Sequence, residues 1–304
     1  MSSVHAFSVR TLTRPEEFRA VMDLQRLIYG DDPTTHIARH TLVSYARNGG
    51  QVLGAFEDEL LVGFLVAFLG TDSLDPRRPA MANLKLVIER LAVHPDYRGI
   101  GLASQLARQQ REMAVMQGIR LVTIAFDPLS SRDAYLYIRK LGAMVQSYVP
   151  DYFGVDEHEA WERNITLSPD RMVAEWWLTR NRVEERLFGK RNSLTLAQYL
   201  DAGMPIINPS QPGPEVFCPH PYQGELKLPD GAMMLIEIPS DCSAILHGDP
   251  KLATAWREHA RQVFGTAFQE GYVATDLMRE PFEGRERTFY LMSYDGPRFS
   301  IEIE

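Results

Sequence analysis

Apolar positions in the first half of the chain recur with two periods. Phe7–Leu12 reads as a short strand. Pro15 then opens a helix continued at helical spacing by Phe18, Val21, Met22, Leu24, Gln25, Leu27 and Ile28. A polar turn over 30–35 leads to a second helix, Ile37–Ala46, ended by Asn48-Gly49-Gly50. Gln51–Phe56 and Leu60–Leu69 read as a hairpin around Glu57-Asp58-Glu59. After a loop rich in Asp, Pro and Arg comes an apolar run, Ala82–Val93. A helix follows with Leu102, Ala103, Leu106, Ala107, Met113 and Ala114 largely on one face, ending near Gly118. Leu121–Phe126 is a compact strand, Ser131–Leu141 a short helix stopped by Gly142, and Ala143–Tyr152 a returning strand. This order predicts an α/β fold: a mixed sheet with antiparallel entry strands and one parallel crossover.

The texture changes beyond Phe153. Asp156–Glu162 is acidic, and Met172–Leu178 is apolar and aromatic, with Trp176-Trp177 expected to pack two domains together. Pro205–Pro221 reads as an irregular connector. A strand (Met233–Ile238), a helix (Leu252–Glu270) and two strands (Tyr272–Leu277, Thr288–Tyr294) follow. The expected division is a domain over 1–165 and a smaller α+β domain over 166–304. The element order of the second, strand, helix, strand, strand, resembles the second half of the first and suggests a degenerate repeat without a cofactor site, with Ser240-Asp241 and Asp249-Pro250 in place of a glycine-rich turn.

Composition narrows the partners. The 304 residues carry a net charge of −8, which argues against nucleic acid or an anionic membrane. No apolar run of membrane-spanning length occurs, and MSSVHAFSVR lacks the regions of a signal peptide. Cys218 and Cys242 are the only cysteines and have no metal-binding spacing, so the expected home is the reducing cytoplasm.

The chemistry concentrates in Ile88–Gln105, IERLAVHPDYRGIGLASQ: a strand that stops, a glycine-rich turn and a helix start. The first N–H groups of a helix lack internal partners and sit at the positive end of its dipole, a ready site for a phosphate. Gly99 and Gly101 keep side chains out of the way, and Arg98 adds a charge. A purely structural turn is the alternative. A dinucleotide-binding turn would want G-x-G-x-x-G, whereas Gly99 and Gly101 are followed by Ser104, and the Walker lysine is missing.

V-H-P-D-Y-R-G-I-G-L-A resembles the signature of the GNAT superfamily of acyl-CoA-dependent N-acyltransferases. Its pattern Q/R-x-x-G-x-G/A falls on Arg98, Gly101 and Ala103. The likeness spans about residues 5–155. Asp127-Pro128-Leu129, Ser131–Ala134 and Lys140–Ala143 resemble a two-domain branch of it. The resemblance implies acetyl-CoA or another acyl-CoA as co-substrate. Its pyrophosphate would lie on Arg98, Gly99, Ile100, Gly101, Leu102, Ala103 and Ser104, and its pantetheine along Leu91, Ala92 and Val93. That strand would splay from the strand carrying Ile124–Phe126, and a backbone N–H near Leu91 or Val93 would polarise the thioester. Attack by the amine would be direct, without an acyl-enzyme.

The family's acid is a tyrosine four residues before the glycine of a Y-x-x-L-G-like motif. Ile138 stands there, and Tyr137 comes one residue earlier. Glu89, two residues before Leu91 and so expected on the same strand face, is the first candidate base, and Asp127 the second. A solvated carboxylate or a packed tyrosine is the plainer reading of each. His36 and His40, at i and i+4, have zinc-compatible spacing without a third ligand, so no metal is expected. Asp75–Pro79 reads as a solvated loop or a carboxylate clamp. The expected activity is acetyl or succinyl transfer to a small amine such as an amino acid, with a homodimer as the assembly considered. A non-catalytic acyl-CoA sensor or scaffold is the alternative, and a protein acetyltransferase a third.

Overall fold

The computed structural model describes residues 7–71, 83–154, 170–189, 194–213, 219–230 and 233–296. The acidic run 156–162, the 75–79 clamp and Cys218 lie outside them. Two compact units emerge: Met1–Ile124 with Trp177–Arg180, and Ala125–Trp176 with Asn181–Glu304.

In the first unit the strands β1 (Phe7–Thr11), β2 (Gln51–Glu57), β3 (Leu60–Thr71), β4 (Leu84–Val93) and β5 (Leu121–Phe126) follow one another in space as in sequence. The first four pair antiparallel, and β5 is parallel to β4. The parallel step needs a crossover, which α3 (Leu102–Met116) supplies. The tight β2–β3 turn is made by Asp58 at φ 50, a conformation Asp tolerates better than most residues.

Helices α1 (Pro15–Tyr29) and α2 (Arg39–Arg47) bury Phe18, Val21, Leu24 and Leu42 against Leu12, Phe64, Val66 and Ala92 on one sheet face. Each such side chain stabilises by roughly 1.5–3 kcal/mol. The opposite face belongs to α3: a Cβ on Gly63, the neighbour of Phe64, would lie 3.4 Å from Leu106. The histidine pair does not share a helix. His36 ends a 3₁₀ turn (Pro33–Thr35) in extended conformation with its Nε2 2.8 Å from Gly30 O, whereas His40 lies in α2. The helix starts two residues later than its apolar spacing implies.

The second unit orders its strands β7 (Arg171–Trp177), β6 (Met144–Val149), β9 (Tyr272–Phe282), β10 (Arg285–Tyr294) and β8 (Met234–Ile238), all pairs antiparallel. Its helices are α4 (Ser131–Ala134), α5 (Asn181–Leu187), α6 (Leu196–Asp201), α7 (Cys242–Gly248) and α8 (Pro250–Gln269). On α8, Trp256, Val263 and Phe264 are buried, and Phe264 meets Tyr290 of β10 edge-on at 5.2 Å. The aromatic run 172–178 is a strand, so its tryptophans part. Trp176 is buried in the second unit and donates to Leu141 O at 2.9 Å. Trp177 belongs to the first unit, with Arg180 4.8 Å over its ring. Among the described residues no helix is long and apolar enough to cross a membrane.

Candidate active site

The glycine turn is built as a left-handed entry to α3. Gly99 (φ 82) and Gly101 (φ 94) hold conformations costly for residues with a Cβ. A Cβ on either would meet no protein atom within 4 Å, so the turn faces open space. Gly101 is the N-cap and offers no side-chain hydrogen bond to the first turn of α3. Arg98 and Ile100 are exposed, Leu102 is buried, and Ala103 and Ser104 are half-buried. Arg98 Nε donates to Val93 O at 3.2 Å, fastening the turn to the end of β4. Tyr97 ties the turn to β2 and β1 instead: its hydroxyl donates to Glu57 at 2.5 Å and its ring meets Phe7 edge-on. Burial and that carboxylate raise the tyrosine's pKa, the hydrogen bond to Glu57 most.

Strand β4 is irregular where the turn needs it to be. The β3–β4 register passes from Val66↔Arg90 to Ala67↔Ile88, so Glu89 is an extra residue, a β-bulge. The parallel ladder with β5 runs from Lys85↔Leu121 to Ile88↔Ile124 and stops there, short of Leu91–Val93.

The bulge also corrects the expected strand face. Ala92 and Val66 share the core under α1 and α2, and Arg90, opposite Val66, reaches that side to place its guanidinium 4.6 Å over the Tyr29 ring. Glu89, the extra residue, shares that side through the bulge and lies close enough to Tyr45 of α2 for its charge to act on the phenol. Leu91 pairs with Leu65 on the α3 side, so simple alternation between Glu89 and Leu91 fails at the extra residue. Burial and the Glu89 carboxylate push Tyr45 up to about 12, so its hydroxyl keeps its proton and remains a donor at neutral pH. Sequence reasoning passed over Tyr45. Its only signal there is a place in the last turn of an amphipathic helix.

In the second unit, Ser131–Ala134 is α-helical, but Tyr135–Lys140 is a π-helix, with Leu141 N bonded to Leu136 O at 2.9 Å. A π-turn bonds i to i+5 and takes in one more residue than an α-turn. Tyr137 is 4% exposed, its ring 5.7 Å from Phe126, and Ile138 is fully buried.

Residues 18–143 match the acetyltransferase (GNAT) family model. This stretch is a GNAT acetyltransferase domain. No curated protein matches the chain. Solved structures similar to it include a GNAT-family acetyltransferase from Elizabethkingia anophelis with acetyl-CoA bound (17% identity, covering 56% of this chain and 97% of that one, TM-score 0.39). Others are an N-acetyltransferase from Staphylococcus aureus Mu50 (16%, 57% and 99%, 0.43) and the ribosomal-protein-S18-alanine N-acetyltransferase from Escherichia coli (12%, 58% and 96%, 0.43).

Within the GNAT segment, Asp127 is held twice. Its Oδ1 accepts from Leu129 N at 2.9 Å, and its Oδ2 pairs with Arg257 of α8 at 3.3 Å. The first bond shapes the turn into α4, and the second neutralises the carboxylate. Asp133 accepts from Ser130 Oγ at 2.8 Å while burial raises its pKa. Cys242 is pushed up to about 12, by burial first and then by Asp127, so it stays a thiol. Among the described residues no group of three or more His, Cys, Asp or Glu side chains could hold a metal.

Proposed function

We propose that this protein is an N-acyltransferase that moves an acetyl or succinyl group from acyl-CoA to the amine of a small acceptor such as an amino acid. The observation that carries the reading is the turn Arg98–Ala103. Two left-handed glycines, open space beside them and a helix start without a side-chain cap suit a pyrophosphate. We assign the pyrophosphate to Arg98, Gly99, Ile100, Gly101, Leu102, Ala103 and Ser104, and the pantetheine to Leu91, Ala92 and Val93, beyond the end of the β4–β5 ladder. Bound acyl-CoA would supply a thioester open to direct attack by an amine.

The chain's own groups then have distinct tasks. A backbone N–H of Leu91 or Val93 polarises the carbonyl. Glu89, exposed at the bulge, takes the amine proton. Tyr137 gives a proton to the departing sulfur. Asp127, engaged by Arg257 and Leu129 N, ranks below Glu89 as the base. The π-helix favours turnover over a binding-only sensor. Tyr137 stands five residues before Gly142, and one extra residue per turn offsets the one-residue displacement from the family spacing. The donor function is assigned to residues 1–165, and the cysteine usage and acidic charge favour a cytoplasmic enzyme that does not act on nucleic acid.

Isothermal titration with acetyl-, propionyl- and succinyl-CoA tests the donor site, and thiol release across a panel of amino acids and polyamines tests turnover. Binding of at least one donor with amine-dependent thiol release is expected. No binding to any of the three rejects the reading, and binding without release under every amine favours the sensor.

A further inference from the structure

π-turns are rare and occur mostly as single-turn bulges inside α-helices, so the contacts that surround this one matter. In the second unit those contacts converge on the helix end. Trp176 Nε1 donates to Leu141 O at 2.9 Å, and Arg182 Nε to Gly142 O at 3.1 Å. Gly142 is left-handed (φ 79), and a Cβ there would lie 3.2 Å from the Arg182 carbonyl and Val183 Cα of α5. Within the helix itself, Arg139 Nη1 pairs with Asp276 Oδ2 at 2.9 Å.

Asp276 is 3% exposed and sits on an irregular part of β9. The β9–β10 register passes from Leu291↔Asp276 to Met292↔Ala274, so Thr275 is an extra residue. A bulge re-aims the side chain beside it. Here it turns Asp276 away from the face of Ala274, and the Thr275 carbonyl accepts from Arg182. Asp276 is itself anchored: Oδ2 also accepts from Arg186 of α5 at 2.5 Å, and Oδ1 from Leu277 N at 2.9 Å. Fixed from two sides, the buried carboxylate is a rigid post to which the π-helix is tied through a single cation, Arg139.

We propose that Asp276, acting through Arg139, is a positioning residue that holds helix 135–140 in its π register and thereby sets the orientation of Tyr137. The proposal rests on Tyr137 being the acid. It gives the second unit a task in the reaction: release of Arg139 lets the helix relax toward α spacing, which rotates Tyr137 from its place and brings Ile138 toward it.

The test is a double-mutant cycle with acetyl-CoA and the best amine of the panel. Y137F is expected to lower kcat about 100-fold, the low end of general-acid contributions. R139Q should lower kcat about 10-fold with little change in KM for acetyl-CoA, and R139K should recover most of that loss. In Y137F/R139Q the rate should equal that of Y137F alone, because a misplaced phenylalanine costs nothing further. The basic limb of the pH–rate profile should move in R139Q and vanish in Y137F. Asp276 keeps Arg186 in R139Q, so the buried carboxylate is not orphaned, and the same cycle with D276N gives an independent reading. If Y137F is silent, the assignment of the acid falls, and the clamp with it. If Y137F is impaired but R139Q is silent, or its loss multiplies fully with that of Y137F, the clamp alone is overturned.

Discussion

The helices α3 and α8 begin in opposite ways. The first comes after β4 and a 3₁₀ turn, the second directly after the short helix α7, and each must satisfy the N–H groups of its first turn. At α8, Pro250 lacks an N–H, and the Asp249 carboxylate accepts from Lys251 N and Leu252 N, both at 3.1 Å. At α3 the cap is Gly101, with no side chain to offer. The settings differ too: β4 and β5 are parallel neighbours, whereas β8 and β9 are separated by β10. One helix start is closed by its own chain, and the other has no side-chain cap and faces open space. Similar element orders therefore say little about function until the cap is known.

The contrast can be broken from the open side first. Gly101→Asp would place a carboxylate in the phosphate position and in a left-handed conformation. Since hydrogen bonds to charged groups contribute about 1.5–3 kcal/mol each, the affinity for acetyl-CoA should fall about 100-fold by titration calorimetry. Unchanged affinity would remove the turn as the phosphate site. Next, Asp249→Ala should cost about 1 kcal/mol in urea unfolding and leave acetyl-CoA affinity unaltered. A parallel loss of affinity would contradict the division of labour.

The smallest effect concerns α1, another start closed by its own chain. Glu17 accepts from Thr13 N at 3.0 Å and Arg14 N at 2.9 Å. Burial opposes its charge, but the Arg14 N–H, the Arg10 guanidinium and the Thr13 N–H outweigh it and lower the pKa from 4.5 to about 2. The folded pKa lies below the unfolded one, so this stabilisation is full above pH 4.5 and is lost as pH falls toward 2. Thermal unfolding between pH 6 and 2.5 should show a loss below about 1 kcal/mol that E17Q abolishes. Identical pH slopes in the two proteins would reject it.

The sequence carried the first-unit strands to within about two residues, because alternation and glycine-rich turns are local signals. It also carried the turn at Arg98–Ala103. Three single-residue insertions were not legible. In LKLVIERLAV the two polar residues Glu89 and Arg90 stand side by side between apolar runs, and only pairing with β3 shows which residue is extra. Thr275 is hidden likewise by its partner β10, and the π-turn by Trp176, Arg182 and Asp276, far away in sequence. Such features follow from what packs against a segment, and α-helical spacing alone does not reveal the π-turn that contains Tyr137. The spacing of His36 and His40 misled for the same reason: periodicity cannot show where a helix starts.

Trp177–Arg180, which begins on the last residue of β7, belongs to the first unit. There Leu178 N donates to Arg120 O at 2.9 Å, and Arg111 Nε to Leu178 O at 2.8 Å. A nascent chain therefore cannot finish this unit when β5 leaves the ribosome. The Arg120 carbonyl and Arg111 guanidinium wait for a segment synthesised more than fifty residues later. By then part of the second unit has already emerged, so the two units must mature with overlapping timing rather than one after the other. A fragment cut at the end of the family match would lack this closing piece.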